Sequence, residues 1–478
     1  MRTTKKGNYD WVIAIADYNK AAELDSSVAE AYNEKDDYAH AMTDCTKALT
    51  LDPNDGEAYC GRGYIYQKKG DYDRAAASFT KAIKLEPNDT EGYKGRGNVY
   101  YQKGEYDRAI ADFDKALALD PNDSEAYCGR GSAYHKKGEY DRAIADYAQA
   151  IKFDPNGAEA YCGRGSAFDQ KGDYDCAIVE FDKALSLDPN NAIAYSGRGS
   201  AYHKKGEHDR AIADYTQALA LNPNDTTTYN GRGYVYHKKG AYDRAIADYT
   251  QAMKLNPNDA TAYSNRGLAY HKKGDYDLAI ADYTQALRID PNYARAYDGR
   301  ASVYNSKGNY DRAIVDLNES IRLDPTYIGT YNERGYAYNN KGKYDLAIAD
   351  FTQAIALDPT FAVAYYNRGN VYNEKGKYDR AIADFTEVIR LNPNNATAYG
   401  GRGYAFDHKG KYDLAIADLN ESIKLDPNDA SMYYNRGFVY YQKGDYDRAV
   451  ADYNKAVELE PTFAYTYGGG NYVHHKEG

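Results

Sequence analysis

Apolar and small residues recur along the chain with two alternating helical spacings. In residues 56–89, Tyr59, Gly63 and Tyr66 stand at i, i+4 and i+7, which places them on one face of a helix. A second, wider stripe follows and consists of Tyr72, Ala75, Ala76, Phe79, Ala82 and Ile83. Gly70 separates the stripes, and Pro87 ends the second because proline cannot continue a helix. The pattern predicts a helical hairpin, with Asp89 as the N-cap of the next helix.

The prolines show that this hairpin is repeated. All 13 prolines stand 34 residues apart, from Pro53 to Pro461. Twelve units of 34 residues run without insertion from 56 to 463. They are numbered here as repeats 1 to 12 and begin at residues 56, 90, 124, 158, 192, 226, 260, 294, 328, 362, 396 and 430. The repetition predicts an all-α fold in which each repeat packs on its neighbours.

Both ends depart from this regularity. We expect residues 1–55 to hold degenerate N-terminal partial repeats and residues 464–478 to be a truncated C-terminal half repeat. Residues 7–24 resemble a second helix around Trp11, and 31–55 is seven residues shorter than its later counterparts. Gly470 stands where the repeats have arginine. Three explanations stay open: a piece of a longer protein, a truncated duplication, or ends that stack head to tail.

The repeat resembles the tetratricopeptide repeat, whose 34-residue signature is W-x-x-L-G-x-x-Y, then A-x-x-x-F, then P. In repeat 1 the matching residues are Tyr59, Gly63, Tyr66, Ala75, Phe79 and Pro87. The resemblance implies a right-handed superhelical solenoid of antiparallel helix pairs, with about 25 helices. It also implies a non-enzymatic scaffold that binds a protein or peptide in its concave groove. The alternatives are a self-assembling structural solenoid and the interaction region of a larger multidomain protein.

One departure from the family signature is systematic. The leucine position is arginine in all twelve repeats, and an acidic residue follows sixteen positions later in every repeat except the first, which has Ser78. We predict structural ion pairs between the two helices, as in Arg198–Asp214 and Arg232–Asp248. The alternative is an arginine ladder that faces a partner. We assign the Gly-Arg-Gly triplets, such as Gly61-Arg62-Gly63, to close helix packing rather than to RNA or phosphate binding.

Three positions of the first helix vary among the repeats, and in the family the exposed side of this helix lines the groove. Asparagines there would bond a partner's backbone, and tyrosines would anchor its side chains. The other interpretation is a solvated face that drifts without selection. The predicted groove residues are Tyr64, Lys94, Asn98, His135, His203, Asn230, Tyr234, His237, Lys238, His271, Asn332, Tyr336, Tyr366, Asn370, Tyr404 and Tyr434.

The middle repeats carry His-Lys-Lys triplets at 135–137, 203–205, 237–239 and 271–273. They predict a basic stripe that suits an acidic partner segment, although lysines at helix C-termini also complement the helix dipole. A zinc site is not expected, because histidines of consecutive repeats lie too far apart to share one ion. Lys94 and Asn98 match the opening of the family's carboxylate clamp for chaperone tails. In the next two repeats, Gly129 stands where the clamp needs asparagine and Glu159 where it needs lysine, so we do not expect the chain to bind chaperone tails.

Composition and charge disfavour several other classes of protein. The net charge of −11 disfavours nucleic acid as a partner, because phosphate binding normally needs a basic surface. The mean hydropathy of −0.82 and the lack of a long apolar run disfavour membrane insertion, and five cysteines without a paired motif predict free thiols. We therefore expect a cytoplasmic protein. No catalytic, metal or dinucleotide motif occurs, so we expect no enzyme activity, metal or cofactor.

Overall fold

The computed structural model describes residues 35–461, and all regular structure within that range is helical. It contains 25 helices in consecutive antiparallel pairs, which confirms the all-α prediction. The chain divides into two compact units, Met1–Lys239 and Gly240–Gly478. The division falls between the two helices of repeat 6. The predicted partial helices at 7–24 and 467–478 lie outside the described residues.

Unit 1 begins, in the described part, with the helix Lys35–Leu51. Its first helices are Gly56–Lys68, Thr90–Gln102, Ser124–Lys136, Ala158–Lys171, Ala192–Lys204 and Thr226–Lys238. Its second helices are Tyr72–Leu85, Tyr106–Leu119, Tyr140–Phe153, Tyr174–Leu187 and His208–Leu221.

Unit 2 begins with Tyr242–Leu255, which is the second helix of repeat 6. Its first helices are Ala260–Lys273, Ala294–Ser306, Ile328–Asn340, Ala362–Glu374, Ala396–His408 and Ala430–Gln442. Its second helices are Tyr276–Ile289, Tyr310–Leu323, Tyr344–Leu357, Tyr378–Leu391, Tyr412–Leu425 and Tyr446–Leu459.

Local sequence explains where the helices begin and end. Gly70, between the helices of repeat 1, has a φ of +74°, a left-handed conformation that glycine adopts at little cost. The same glycine recurs with positive φ in all twelve repeats. Asp89 accepts a hydrogen bond from the backbone N–H of Glu91 at 3.2 Å, which confirms it as an N-cap. Each hairpin thus turns at a glycine and ends at a proline turn, and in most repeats an Asp or Asn side chain after that proline caps the next first helix.

Close packing of aromatic rings against glycine fixes the spacing of the first helices. Phe79 is fully buried in the second helix of repeat 1. A Cβ added at Gly63 would lie 2.8 Å from its ring, and one added at Gly95, in the next repeat, would lie 2.3 Å from it. The ring therefore sits directly against the backbones of two successive first helices. This confirms close helix packing as the role of these glycines.

Each unit, taken by itself, bends towards its first helices. First helices of successive repeats contact one another throughout unit 1 and throughout unit 2, and successive second helices contact one another less. A stack whose one side is more closely spaced curves towards that side. The face formed by the first helices is therefore the inner face of each unit.

Candidate functional site

The arginine column of the first helices is bound within the protein. Arg198 donates Nε and Nη2 to the two carboxylate oxygens of Asp214, at 2.7 and 2.8 Å. Its Nη1 donates to Asp182 of the preceding repeat at 2.5 Å. Asp214 is buried, with 7% of its surface exposed. One guanidinium thus joins the two helices of its own repeat to the second helix of the repeat before it.

Similar pairs occur along both units. The other pairs are Arg96–Asp112, Arg130–Asp146, Arg164–Glu180, Arg266–Asp282, Arg300–Asp316, Arg334–Asp350, Arg368–Asp384, Arg402–Asp418 and Arg436–Asp452. Arg232 and Asp248 belong to different units, so that pair stays a prediction. Arg62, whose repeat has Ser78 in place of the acid, keeps a buried Nε without a hydrogen-bond partner. Because the guanidiniums bind internal carboxylates, they do not form the alternative partner-facing ladder.

A second set of ion pairs connects successive repeats and was missed by the sequence analysis. Lys137, next to the turn glycine of repeat 3, lies 2.7 Å from Asp107 in the second helix of repeat 2. Lys273 and Asp243 form the corresponding pair in unit 2 at 2.6 Å. The constant separation of 30 residues between aspartate and lysine is a signal that could have revealed it. The aspartates are exposed, so these contacts lie on the surface.

The His-Lys-Lys triplets carry less free positive charge than the sequence suggests. Burial lowers the pKa of His135, His203 and His271, so these rings are neutral near pH 7. The last lysine of each triplet pairs with an aspartate of the preceding repeat, which is Asp107, Asp175, Asp209 or Asp243. Lys204, the first lysine of its triplet, lies 2.6 Å from Asp169, one repeat earlier. Lys136 and Lys238 in unit 1 and Lys272 in unit 2 remain as exposed cations, and Lys238 also lies 5.3 Å from the ring of Tyr234.

Lys94, predicted as a groove residue, is instead enclosed by carboxylates. Only 7% of Lys94 is exposed, and its Nζ lies 2.8 Å from Glu91, 3.1 Å from Asp123 and 2.8 Å from Glu125. These hydrogen bonds and charges raise the pKa of the Lys94 ammonium in spite of its burial. Its charge is compensated inside the protein. Lys94 therefore cannot bind a partner's carboxylate without losing these contacts.

Several other predicted groove residues of unit 1 also contact internal groups. The Tyr64 hydroxyl donates to Glu91 at 3.0 Å, and its ring meets Phe79 edge to face at 4.9 Å. His203 packs against His208 and Tyr234, with ring centroids 5.3 and 5.2 Å away. Asn98 lines a cleft of about 610 Å³ on the inner face of repeats 1 to 4. His135, His237 and Asn230 are half-buried residues of the same face.

The inner face of unit 2 contains a cleft of about 600 Å³ that spans repeats 9 to 12. Four predicted groove residues line it: Tyr336, Tyr366, Asn370 and Tyr404. Asn339 and Asn373, also from the inner face, line the same cleft. Tyr336 and Tyr404 are 45% and 42% exposed, which is high for large aromatic side chains in a packed helical array. The sequence positions thus converge on one concave surface of amides and rings.

Some amides in the wall of this cleft already form hydrogen bonds within the protein. Asn367 donates its Nδ2 to Asn332 Oδ1 at 2.9 Å, and Asn373 donates to the Gly401 carbonyl at 3.0 Å. Oδ1 of Asn339 and of Asn373 is buried without a hydrogen-bond partner. Tyr434 packs against Tyr453, with ring centroids 5.4 Å apart. His271, in repeat 7 of the same unit, lies 3.1 Å from the Ser306 hydroxyl.

Within residues 35–461, no group of three or more metal-binding side chains occurs. Cys60, Cys128, Cys162 and Cys176 are free thiols, and burial raises the pKa of Cys128 and Cys162 to about 12. No helix of the range is long and apolar enough to span a bilayer.

Family models identify the class of this chain. The model described as TPR repeat matches residues 97–138, 131–172, 165–206, 199–240, 233–274, 301–342, 335–376 and 408–444. Models described as tetratricopeptide repeat match 56–89, 260–293, 362–395 and 430–463, and also 27–55. The first model alone matches more than half of the chain. The chain therefore belongs to the tetratricopeptide repeat family, as its repeat signature suggested.

Solved structures of similar proteins were also found. One is the crystal structure of the APC/C hetero-tetramer Cut9-Hcn1, at 17% identity and a TM-score of 0.49, with 92% of this chain and 95% of that chain covered. Another is a tetratricopeptide repeat protein from Parabacteroides merdae, at 25% identity, a TM-score of 0.44 and coverages of 52% and 98%. Yeast Tom70 has 18% identity, a TM-score of 0.40 and coverages of 84% and 92%. No curated protein matches the chain.

Proposed function

We propose that the chain is a non-enzymatic scaffold that binds an extended peptide segment of a partner protein on its inner face. The observation that carries the proposal is the cleft of about 600 Å³ in unit 2. Its wall combines exposed tyrosine rings with asparagine amides, the groups that anchor side chains and bond an extended backbone. The uniform columns of the repeat hold the scaffold together, which leaves the variable columns available for a ligand.

Two features support peptide binding over a small-molecule site. The cleft extends across four repeats, so its length follows the stack rather than enclosing one point. Buried Oδ1 atoms of Asn339 and Asn373 lack donors, and an extended backbone offers N–H groups at regular intervals. A bound strand could satisfy acceptors on successive repeats after a small rotation of each amide.

For the middle repeats, an acidic partner segment stays a prediction. It now rests on the exposed lysines Lys136, Lys238 and Lys272, since burial lowers the pKa of His135, His203 and His271 and the other lysines of the triplets are paired. Head-to-tail self-association also stays a prediction, and light scattering at rising protein concentration would detect it.

Selection from a random peptide library tests the proposal. The wild-type chain should enrich related peptides, and the double variant Asn370→Ala/Tyr404→Ala should bind them at least about tenfold more weakly, since it removes one amide contact and one aromatic anchor. Val315→Ala is the matched control, because Val315 is 67% exposed on the second helix of repeat 8, away from the cleft. Equal binding by all three proteins, or no enrichment by the wild type, would refute groove binding.

A further inference from the structure

A small polar pocket lies on the inner face of unit 2, between the first helices of repeats 8 and 9. Its volume is about 230 Å³, and its wall is formed by Ser302, Asn305, Ser306, Asn332, Glu333 and Tyr336. On the order of seven water molecules would occupy such a volume, which matches the end of one long side chain rather than a whole peptide. Asp298 stands one helical turn before Ser302, on the same face of that helix.

Two carboxylates at this pocket have no cation within ion-pair distance in the described part of the chain. Asp298 accepts a hydrogen bond from the Thr330 hydroxyl at 2.9 Å, and Glu333 accepts one from Asn305 Nδ2 at 2.9 Å. The neighbouring buried acids Asp316 and Asp350 each bind an arginine. A carboxylate withdrawn from water without a counter-charge is unfavourable, so Asp298 and Glu333 differ from the arginine-bound acids Asp316 and Asp350 beside them.

Asn305 gives a second and independent indication of a ligand. It is only 6% exposed, and both of its Nδ2 hydrogens are used, one by the Glu333 carboxylate and one by the Glu333 carbonyl at 3.2 Å. Its Oδ1 is buried and has no hydrogen-bond donor. Buried side-chain acceptors are normally paired, so the pocket wall lacks a donor that the protein itself does not supply.

Burial, with a further contribution from Glu333, raises the pKa of Asp298 to about 6. Burial, together with these two carboxylates, also raises the pKa of the Tyr327 hydroxyl nearby, against the opposing charge of Arg295. At neutral pH the pocket therefore combines negative charge, an unused carbonyl acceptor and the exposed ring of Tyr336. A ligand that suits these groups must bring donors and positive charge, and it can place its cation against the ring.

We propose that this pocket receives the side chain of one arginine or lysine from the extended segment bound along the inner face. The inference rests on the proposed groove function and specifies its partner: a segment with a basic residue at a fixed position. A guanidinium offers five donors in a planar fork, enough for the Glu333 carboxylate and Asn305 Oδ1 in the wall, while Asp298 adds negative charge from beside the pocket. Charge complementarity favours this occupant over an acidic segment at repeats 8 and 9.

The repeats themselves supply conservative replacements for the test. Asparagine occupies the position of Asp298 in repeat 9, as Asn332, and the position of Glu333 in repeats 7, 10 and 12, as Asn265, Asn367 and Asn435. Asp298→Asn and Glu333→Asn should therefore fold within the same backbone. Glu319→Gln is the matched control, because Glu319 lies on the second helix of repeat 8 and pairs there with Arg322 at 2.6 Å.

A random peptide library would be selected in parallel on the wild type, on Asp298→Asn/Glu333→Asn and on Glu319→Gln. We expect the wild type and the control to enrich peptides with arginine or lysine at one fixed position, and the double variant to lose that preference. A selected peptide and its copy with glutamine at that position would then be compared by fluorescence anisotropy. The wild type should bind the basic peptide about tenfold more tightly, and the double variant should bind both equally.

The outcomes separate the two proposals. Enriched peptides without a fixed basic residue, or with one that the double variant still prefers, would overturn the pocket assignment and leave groove binding intact. Enrichment of acidic peptides would also overturn the pocket assignment, because the bound segment would then carry negative rather than positive side chains. No enrichment by the wild type would refute groove binding and the pocket with it. If the double variant has lost its helical circular dichroism, the single variant Glu333→Asn decides by the same comparison.

Discussion

At the scale of single residues, the arrangement of charge separates scaffold from candidate site. Arg198 and its equivalents bind acids that the repeat provides at a constant spacing. Asp298 and Glu333 stand outside that acidic column, and neither has a basic partner among the residues that the structure describes. Departures from a repeated rule are more informative in an array than in a single domain, because the other repeats show what packing alone requires.

Asp298 should make stability depend on pH. Its pKa is raised from 3.8 to about 6, so the folded protein holds this proton more tightly than the unfolded chain does. The contribution of Asp298 to stability is therefore greatest below about pH 4 and is lost as pH rises through about 6. Asparagine does not titrate and can still accept from Thr330. Asp298→Asn should then be more stable than wild type at about pH 8, by about 1–3 kcal/mol, with no such advantage at about pH 4.

Thermal unfolding followed by circular dichroism at both pH values would check this. The control is Glu319→Gln, which removes an exposed carboxylate from the same repeat. If Asp298→Asn shifted the midpoint equally at the two pH values, the raised pKa would not be the cause.

At the scale of helices, the buried arginine pair decides how the two helices of a repeat hold together. Asp214→Ala would leave the Arg198 guanidinium half-buried, with only its outer contact to Asp182. Breaking a buried ion pair by removing one partner costs about 3–5 kcal/mol. We expect a marked fall in the midpoint of thermal unfolding.

The control for that change is Asp182→Thr. Thr216 occupies the same position one repeat later and accepts from Arg232 Nη1 at 3.0 Å, so threonine can replace the outer partner. Asp182 is 53% exposed, and its loss should have little effect on stability. An Asp214→Ala protein as stable as Asp182→Thr would show that the inner pair contributes nothing.

At the scale of the whole molecule, the 34-residue period makes the repeats of a unit interchangeable. Deleting residues 124–157 from unit 1 removes one complete repeat and brings Asp107 opposite Lys171 and Asp114 opposite Arg164, restoring both kinds of contact between repeats. In an array whose repeats contact only their neighbours, stability is close to a sum of repeat and interface contributions. The shortened chain should stay helical, with its unfolding midpoint only slightly lowered.

Deleting residues 140–157 instead removes the second helix of repeat 3 and the proline turn after it, which leaves one apolar helix face without a partner. That protein should lose helical signal or aggregate. Equal damage from the two deletions, measured by circular dichroism and size-exclusion chromatography, would contradict the modular description.

The sequence by itself determined the class of fold, the period, the helix boundaries and the arginine–acid spacing. These follow from local periodicity and from twelve aligned copies, which revealed the arginine–acid pair but not the aspartate–lysine pair at a separation of 30 residues. The sequence overestimated the exposure of Lys94 and the free positive charge of the His-Lys-Lys triplets. Both properties depend on neighbours one repeat away.

Only the tertiary structure decided that Lys94 is enclosed by three carboxylates, and that Asn305 and Glu333 line a pocket beside Asp298 with no cation paired to either acid in the described part of the chain. Asp298 and Asn305 share one face of the first helix of repeat 8, but Glu333 belongs to the next repeat, and no periodic pattern shows that these side chains lack a cation. The physical reason is that burial and charge compensation are properties of the three-dimensional neighbourhood, whereas periodicity reports only which face of a helix a residue occupies.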